Sequence, residues 1–199
     1  MTLAARVSRA RERMRELKVD VLLLSVGPDL PYLTGYEAMP LERLTMLVMP
    51  RAGDALLVVP RLEAPRIAEQ PGLFEIVPWD ETDDPVALVA RLVGRDAKRA
   101  AIGDHTWARF VLDLQHAMPN TAFERASRVL SPIRMVKDAG EIEALRAAAQ
   151  AVDEIAVEMR TRPVGGCTLR WTFLMSFSTT STTMSPSLSC VAISIPAGP

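Results

Sequence analysis

The side chains that could do chemistry in this sequence are few and scattered. Histidine occurs twice, as His105 in Gly103-Asp104-His105-Thr106-Trp107 and His116 in Leu114-Gln115-His116. An imidazole beside a carboxylate can act as a general base or a metal ligand, and Asp104-His105 closes a predicted strand, where α/β domains often place functional groups. No second ligand stands at ligand spacing from His105, so a strand-end cap followed by a loop histidine is the other reading of the same residues. An enzyme built on Asp104 and His105 would lose its activity on His105→Ala. His116 falls near the C-terminal end of a predicted helix, where the dipole favours a cation. Asp80, Glu81, Asp83 and Asp84 crowd around Thr82; they read as the solvated start of a helix or as hard-cation ligands without a converging partner. Both cysteines, Cys167 and Cys190, lie towards the C-terminal end, so neither a disulfide framework nor a thiolate metal site holds the body together, and a reducing cytoplasm fits that usage. Gly-x-Gly-x-x-Gly, the phosphate-loop pattern and the Gly-x-Ser-x-Gly elbow are absent, which removes the usual support for nucleotide and serine-hydrolase readings.

The elements that would position these groups follow from the apolar spacing. Leu3, Val7, Ala10, Met14 and Leu17 recur at helical spacing among Arg and Glu, so the chain opens with an amphipathic helix. Residues 19–26 form a dense aliphatic run that suits a strand buried on both faces. Residues 45–49 and 55–59 are two more apolar runs with Gly53-Asp54 between them, a hairpin signal that makes the sheet mixed. Residues 62–70 read as a helix stopped by Pro71-Gly72, and 74–79 as a strand. Asp83-Asp84-Pro85 starts a helix that runs to about Val93. Residues 100–103 follow as a strand, 107–118 as a helix and 122–124 as a last strand. Strands alternating with helices predict a layered α/β domain with a mixed sheet flanked by helices.

Composition bounds the rest. A chain of 199 residues with 49% hydrophobic and 24% charged content can bury a core. The net charge of −1 supplies no long-range attraction to nucleic acid, and no run is apolar and long enough to span a bilayer. The acidic Glu12 and Glu16 in the basic N-terminal helix, and the late apolar run, argue against a secretory or organellar leader.

The clearest helix lies in residues 131–160. Asp138 and Glu141 form a capping box that sets its start, and Ile142, Leu145, Ala149, Val152, Ala156 and Met159 make a stripe along one face. From Asp138 to Arg160 it would span on the order of 30 Å. Its opening, Ile133-Arg134-Met135-Val136-Lys137-Asp138 with Glu141-Ile142 and Leu145-Arg146, resembles the linker and first catalytic-domain helix of the creatinase, prolidase and aminopeptidase P family. Upstream, Tyr32-Leu33-Thr34-Gly35-Tyr36 is similar to the Tyr-Leu-Thr-Gly-aromatic motif of the same family's N-terminal domain. The resemblance covers about the first 165 residues.

The resemblance implies a creatinase-like N-terminal α/β domain in residues 1–131 and a linker helix in 132–162 that would open the catalytic pita-bread domain. After Arg162 the composition changes: no Asp, Glu, Lys or His follows, and Ser and Thr dominate. Residues 163–199 therefore read as an unrelated, weakly ordered tail, made sticky by Trp171, Phe173, Leu174, Met175 and Phe177. In full-length family members two Asp, one His and two Glu hold two divalent metal ions in the catalytic domain. No such ligand can be assigned here, so the expectation is no catalytic residue, no metal residue and no cofactor in this chain. The resemblance further implies an N-terminal domain of a Xaa-Pro dipeptidase or aminopeptidase, truncated before its catalytic domain and inactive alone. The alternative is a stand-alone dimerisation or interaction module. Family N-terminal domains pack between subunits and help close the substrate pocket, which makes Tyr32, Thr34, Gly35 and Tyr36 the candidate subunit or pocket contacts. A structural turn with buried aromatics is the other reading of that motif. The expected partner is a second copy or another subunit, through the α/β domain, in the cytoplasm.

Overall fold

The computed structural model of the chain describes residues 1–68 and 70–161. The expectation for the tail at 163–199, with Cys167 and Cys190, lies outside the described residues. Residues Met1–Ala149 form one compact unit, and a second is counted from Gln150.

The fold is built on strand β1 (Val21–Ser25), whose first four residues are all buried. Successive strand residues point to opposite faces, and here both faces are covered, which is why the run is aliphatic without alternation. Leu22 and Leu24 join one core cluster and Val21 and Leu23 the other. β2 (Met46–Pro50) pairs antiparallel with β1, and β3 (Ala55–Pro60) antiparallel with β2, as the hairpin signal predicts. β4 (Phe74–Trp79) runs parallel to β3, β5 (Arg99–Ile102) parallel to β1, and β6 (Ala122–Arg125) parallel to β5. The result is a mixed six-stranded sheet in the order β4-β3-β2-β1-β5-β6.

Helices cover both faces. α1 (Leu3–Leu17) lays Val7, Ala10 and Met14 into the cluster that holds Leu22 and Leu24, on the side also covered by the short α2 (Asp29–Thr34). On the opposite face α3 (Pro85–Val93) contributes Val89, and α4 (Ala108–Ala117) contributes Phe110 and Leu114. α3 starts where its sequence says: the Asp84 carboxylate accepts from the amides of Val86 and Ala87 at 2.9 and 3.0 Å, and Pro85 occupies the first turn, where its missing N–H costs nothing.

Two elements differ from the sequence reading. The described residues of 62–70 are not an α-helix; they hold a single 3-10 turn, Ala64–Arg66, which ends where Ile67 turns extended (ψ 122°) and is buried in the core. A helix unanticipated from sequence, α5 (Ser127–Met135), spans residues expected to be domain end and linker, with Pro132 inside it. Tertiary packing accounts for it: Val129 and Leu130 are buried against the same cluster as α1.

The last described element is α6 (Ala139–Thr161). Its capping box forms as expected, with the Asp138 amide donating to Glu141 at 2.9 Å and the Glu141 amide donating back to Asp138 at 2.9 Å. Arg6 of α1 donates to Glu141 at 3.0 Å, and the Met1 amine to Asp138 at 2.5 Å. The Met1 amine, followed by the Glu141 amide, holds the Asp138 carboxyl below its usual range. The predicted stripe is exposed: Leu145, Val152 and Met159 are each more than half accessible.

Candidate functional site

Tyr32, Thr34, Gly35 and Tyr36 sit where α2 ends, and the local structure shows why these residue types are needed. Thr34 is buried, and its hydroxyl donates to the Leu30 carbonyl at 2.7 Å while accepting the Tyr36 amide at 3.1 Å. One side chain thus satisfies groups on both sides of the helix end. Gly35 follows in the left-handed conformation at φ 72° and its amide closes the helix on the Pro31 carbonyl at 2.9 Å. A Cβ there would be strained by that φ and would meet Leu3 at 3.3 Å.

The two tyrosines leave this turn in different directions chemically. Tyr36 donates its phenol hydrogen to the Glu63 carboxylate at 3.1 Å. Glu63 is only 8% exposed, which makes it the one buried carboxylate among the described residues. Burial, reinforced by that charge, pushes the Tyr36 phenol from its ordinary 10.0 up to about 12. Thr34, Gly35, Tyr36, Glu37, Glu63 and Arg66 all line one recess of about 320 Å³. Tyr32 instead faces a separate recess of about 580 Å³, shared with Arg134, Lys137 and Glu141. Its ring lies under the Arg6 guanidinium at 4.5 Å and near that of Arg134 at 5.5 Å, a doubled cation–π contact. Arg134 in turn pairs with Asp29, at the start of α2. The motif therefore acts as a knot tying α1, α2 and α5 together, and it presents Tyr36 and Glu63 as a neutral-donor and carboxylate pair.

Sequence reasoning missed Glu63, Arg66, Arg6 and Arg134. The Tyr36–Glu63 bond spans 27 residues and the Arg134–Asp29 pair 105, so no local spacing announces them.

The other candidates resolve into structural roles. Asp104 accepts from Arg125 at 3.1 and 2.5 Å and is hydrogen-bonded by Ser127 at the start of α5, and these bonds hold its carboxyl below the usual range. His105 packs against β1's exit instead: a Cβ on Gly27 would lie 2.9 Å from the His105 Cβ, so only glycine permits the approach. His116 falls in the last turn of α4. Every carboxylate of the acidic cluster is engaged within the fold. Asp80 pairs with Arg61, Glu81 with Arg43, Asp83 accepts the Asp80 amide, and Asp84 caps α3. Among the described residues no group of three or more His, Cys, Asp and Glu could hold a metal ion, so they do not fit a two-metal centre. Among them, too, no helix is long and apolar enough to cross a membrane.

Comparison with known proteins agrees with this geometry. Residues 6–136 match the Creatinase/Prolidase N-terminal domain. A probable dipeptidase PepE of Mycobacterium tuberculosis is 36% identical over 137 residues, which cover 67% of this chain and 36% of that protein. The crystal structure of dipeptidase PepE from Mycobacterium ulcerans superposes with a TM-score of 0.72 at 34% identity, covering 78% of this chain and 43% of the other. A prolidase from Thermococcus sibiricus superposes with a TM-score of 0.76 at 25% identity, covering 83% and 46%. The chain spans less than half the length of each of these relatives.

Proposed function

Because the chain belongs to the creatinase/prolidase N-terminal domain family, we propose that it is the non-catalytic, pocket-closing domain of a dipeptidase of the Xaa-Pro type. In this reading the 199-residue chain does not hydrolyse peptides by itself. The observation that carries the proposal is the match over residues 6–136 together with the intact Thr34–Gly35–Tyr36 helix stop. That stop, with the Tyr36 phenol bonded to Glu63, anchors the start of the loop that follows. A loop anchored in this way costs less entropy when it closes on a partner surface, which suits a wall of a substrate pocket. The two divalent ions of the family's chemistry would be held by a catalytic domain, since the described residues offer no fitting ligand set.

Two assays test this. The purified 199-residue chain is expected to leave Xaa-Pro dipeptides uncleaved with or without added divalent cations. A chimera in which residues 6–136 replace the matching segment of the mycobacterial dipeptidase is expected to cleave its dipeptide substrate. Metal-dependent hydrolysis by the short chain, or a folded chimera without activity, would overturn the reading.

A further inference from the structure

The recess between the end of α2 and the turn at Ala64–Arg66 holds two opposite charges that do not pair. Glu63 stands just before that turn and Arg66 ends it, and the Arg66 amide donates to the Glu63 carbonyl at 2.9 Å. Their side chains part from there. One Glu63 carboxylate oxygen accepts from the Tyr36 phenol at 3.1 Å, and the other accepts from no side chain or amide among the described residues. The Arg66 guanidinium meets no carboxylate among them; its one hydrogen-bond contact is the Met39 sulfur at 4.0 Å. Yet both groups line the same recess of about 320 Å³, and both act on the same phenol, Glu63 pushing its pKa up and Arg66 pulling it down. A carboxylate that is only 8% exposed and has a single neutral donor is short of the partners its two oxygens can take. Glu37 adds an exposed carboxylate at the rim.

An anion and a cation that share a concavity without pairing call for a ligand carrying both charges. A lone amine would answer Glu63 but be repelled by Arg66, and a lone carboxylate would answer Arg66 but be repelled by Glu63 and Glu37. The volume lies at the lower end of small-molecule sites, which suits a single residue-sized molecule. We propose that this recess binds a free α-amino acid as its zwitterion, its ammonium donating to Glu63, its carboxylate accepting from Arg66, and its side chain resting against Met39. Tyr36 holds the Glu63 carboxylate in place, and the Thr34 hydroxyl holds the Tyr36 amide. All these residues belong to the compact unit Met1–Ala149. The proposal goes beyond the peptidase reading and its test involves no catalysis, so either can fail without the other.

Three matched probes test it: L-alanine, ethylamine, which lacks the carboxylate, and propionate, which lacks the ammonium. Titrated into the 15N-labelled 199-residue chain at neutral pH, L-alanine should shift the amides of residues 34–39 and 63–66 saturably. A Kd on the order of 1 mM is expected for two charge-assisted contacts in an open recess. Ethylamine and propionate should each bind about tenfold more weakly or worse. Glu63→Gln keeps the shape and an acceptor for the phenol but removes the charge, and it should weaken L-alanine by about tenfold. Arg66→Gln should do the same; since Arg66 is exposed, this variant stays decisive if the buried Glu63→Gln chain fails to fold. Circular dichroism and thermal transitions matching the parent separate lost binding from lost folding. Absence of saturable shifts with L-alanine, ethylamine or propionate binding as tightly as L-alanine, or a folded Arg66→Gln chain that binds L-alanine as the parent does would each overturn the proposal. So would L-alanine shifts confined to residues outside 34–39 and 63–66.

Discussion

Strand β1 and helix α6 are both rich in aliphatic side chains, yet they end in opposite environments. In β1, Leu22, Leu23 and Leu24 are wholly buried between two helical layers. In α6, Leu145 and Val152 face solvent. The strand's stability is borrowed from elements far away in sequence: β2 and β5 supply its hydrogen bonds, and α1, α3 and α4 cover its faces. The helix closes its own backbone bonds, and its start is held by the capping box and by ion pairs with Met1 and Arg6. An apolar pattern thus says that a face wants cover, while the surrounding fold decides whether it gets it.

The contrast can be broken by substitution. Leu23→Ala in β1 should remove about 2–5 kcal/mol of unfolding free energy through the cavity it leaves, measured by denaturant titration; a cost under about 1 kcal/mol would mean that the strand is not the core it looks to be. Thr34→Val should cost about 1–3 kcal/mol, because the buried hydroxyl answers the Leu30 carbonyl and the Tyr36 amide together. Asp138→Ala should act only locally, through loss of the α6 cap: amides in the first turn of α6 should exchange faster while the midpoint of sheet unfolding stays put.

Tyr36→Phe sharpens the comparison through pH. The folded phenol is pushed by burial and by Glu63 from 10.0 to about 12. The neutral phenol is therefore favoured by folding, and its contribution is fully present below pH 10 and lost as pH rises towards 12. The parent should lose stability over that alkaline window more steeply than Tyr36→Phe; equal slopes would show that the phenol does not titrate against Glu63. The smallest effect is expected at Leu145→Ala in α6, within about 0.5 kcal/mol. A core-sized loss there would show that the stripe is covered within a single chain.

Much of the fold was legible because its signals are local. The hairpin turn at Gly53-Asp54, the Asp84-Pro85 helix start and the Asp138/Glu141 capping box each depend on residues a few positions apart, and each appears in the structure. Residues 62–70 misled because their apolar spacing suits a helix, whereas in the fold the turn at Ala64–Arg66 stops where Ile67 goes extended into the core. Helix α5 was missed for the opposite reason: Pro132 argues against a helix, and only the burial of Val129 and Leu130 outweighs it. Of the candidate site, the turn was legible and its partners were not.

By itself, then, the sequence determined most of the strands and helices and where two of the helices begin, at Asp84-Pro85 and at the Asp138/Glu141 box, since caps, periods and backbone preferences act over a few residues. Tertiary structure alone decided the strand order β4-β3-β2-β1-β5-β6, the burial of Glu63 under the Tyr36 phenol, the pairing of Asp29 with Arg134, and the exposure of the α6 stripe. Those outcomes depend on contacts between residues far apart in the chain, whose free energy exists only once the sheet has brought them together.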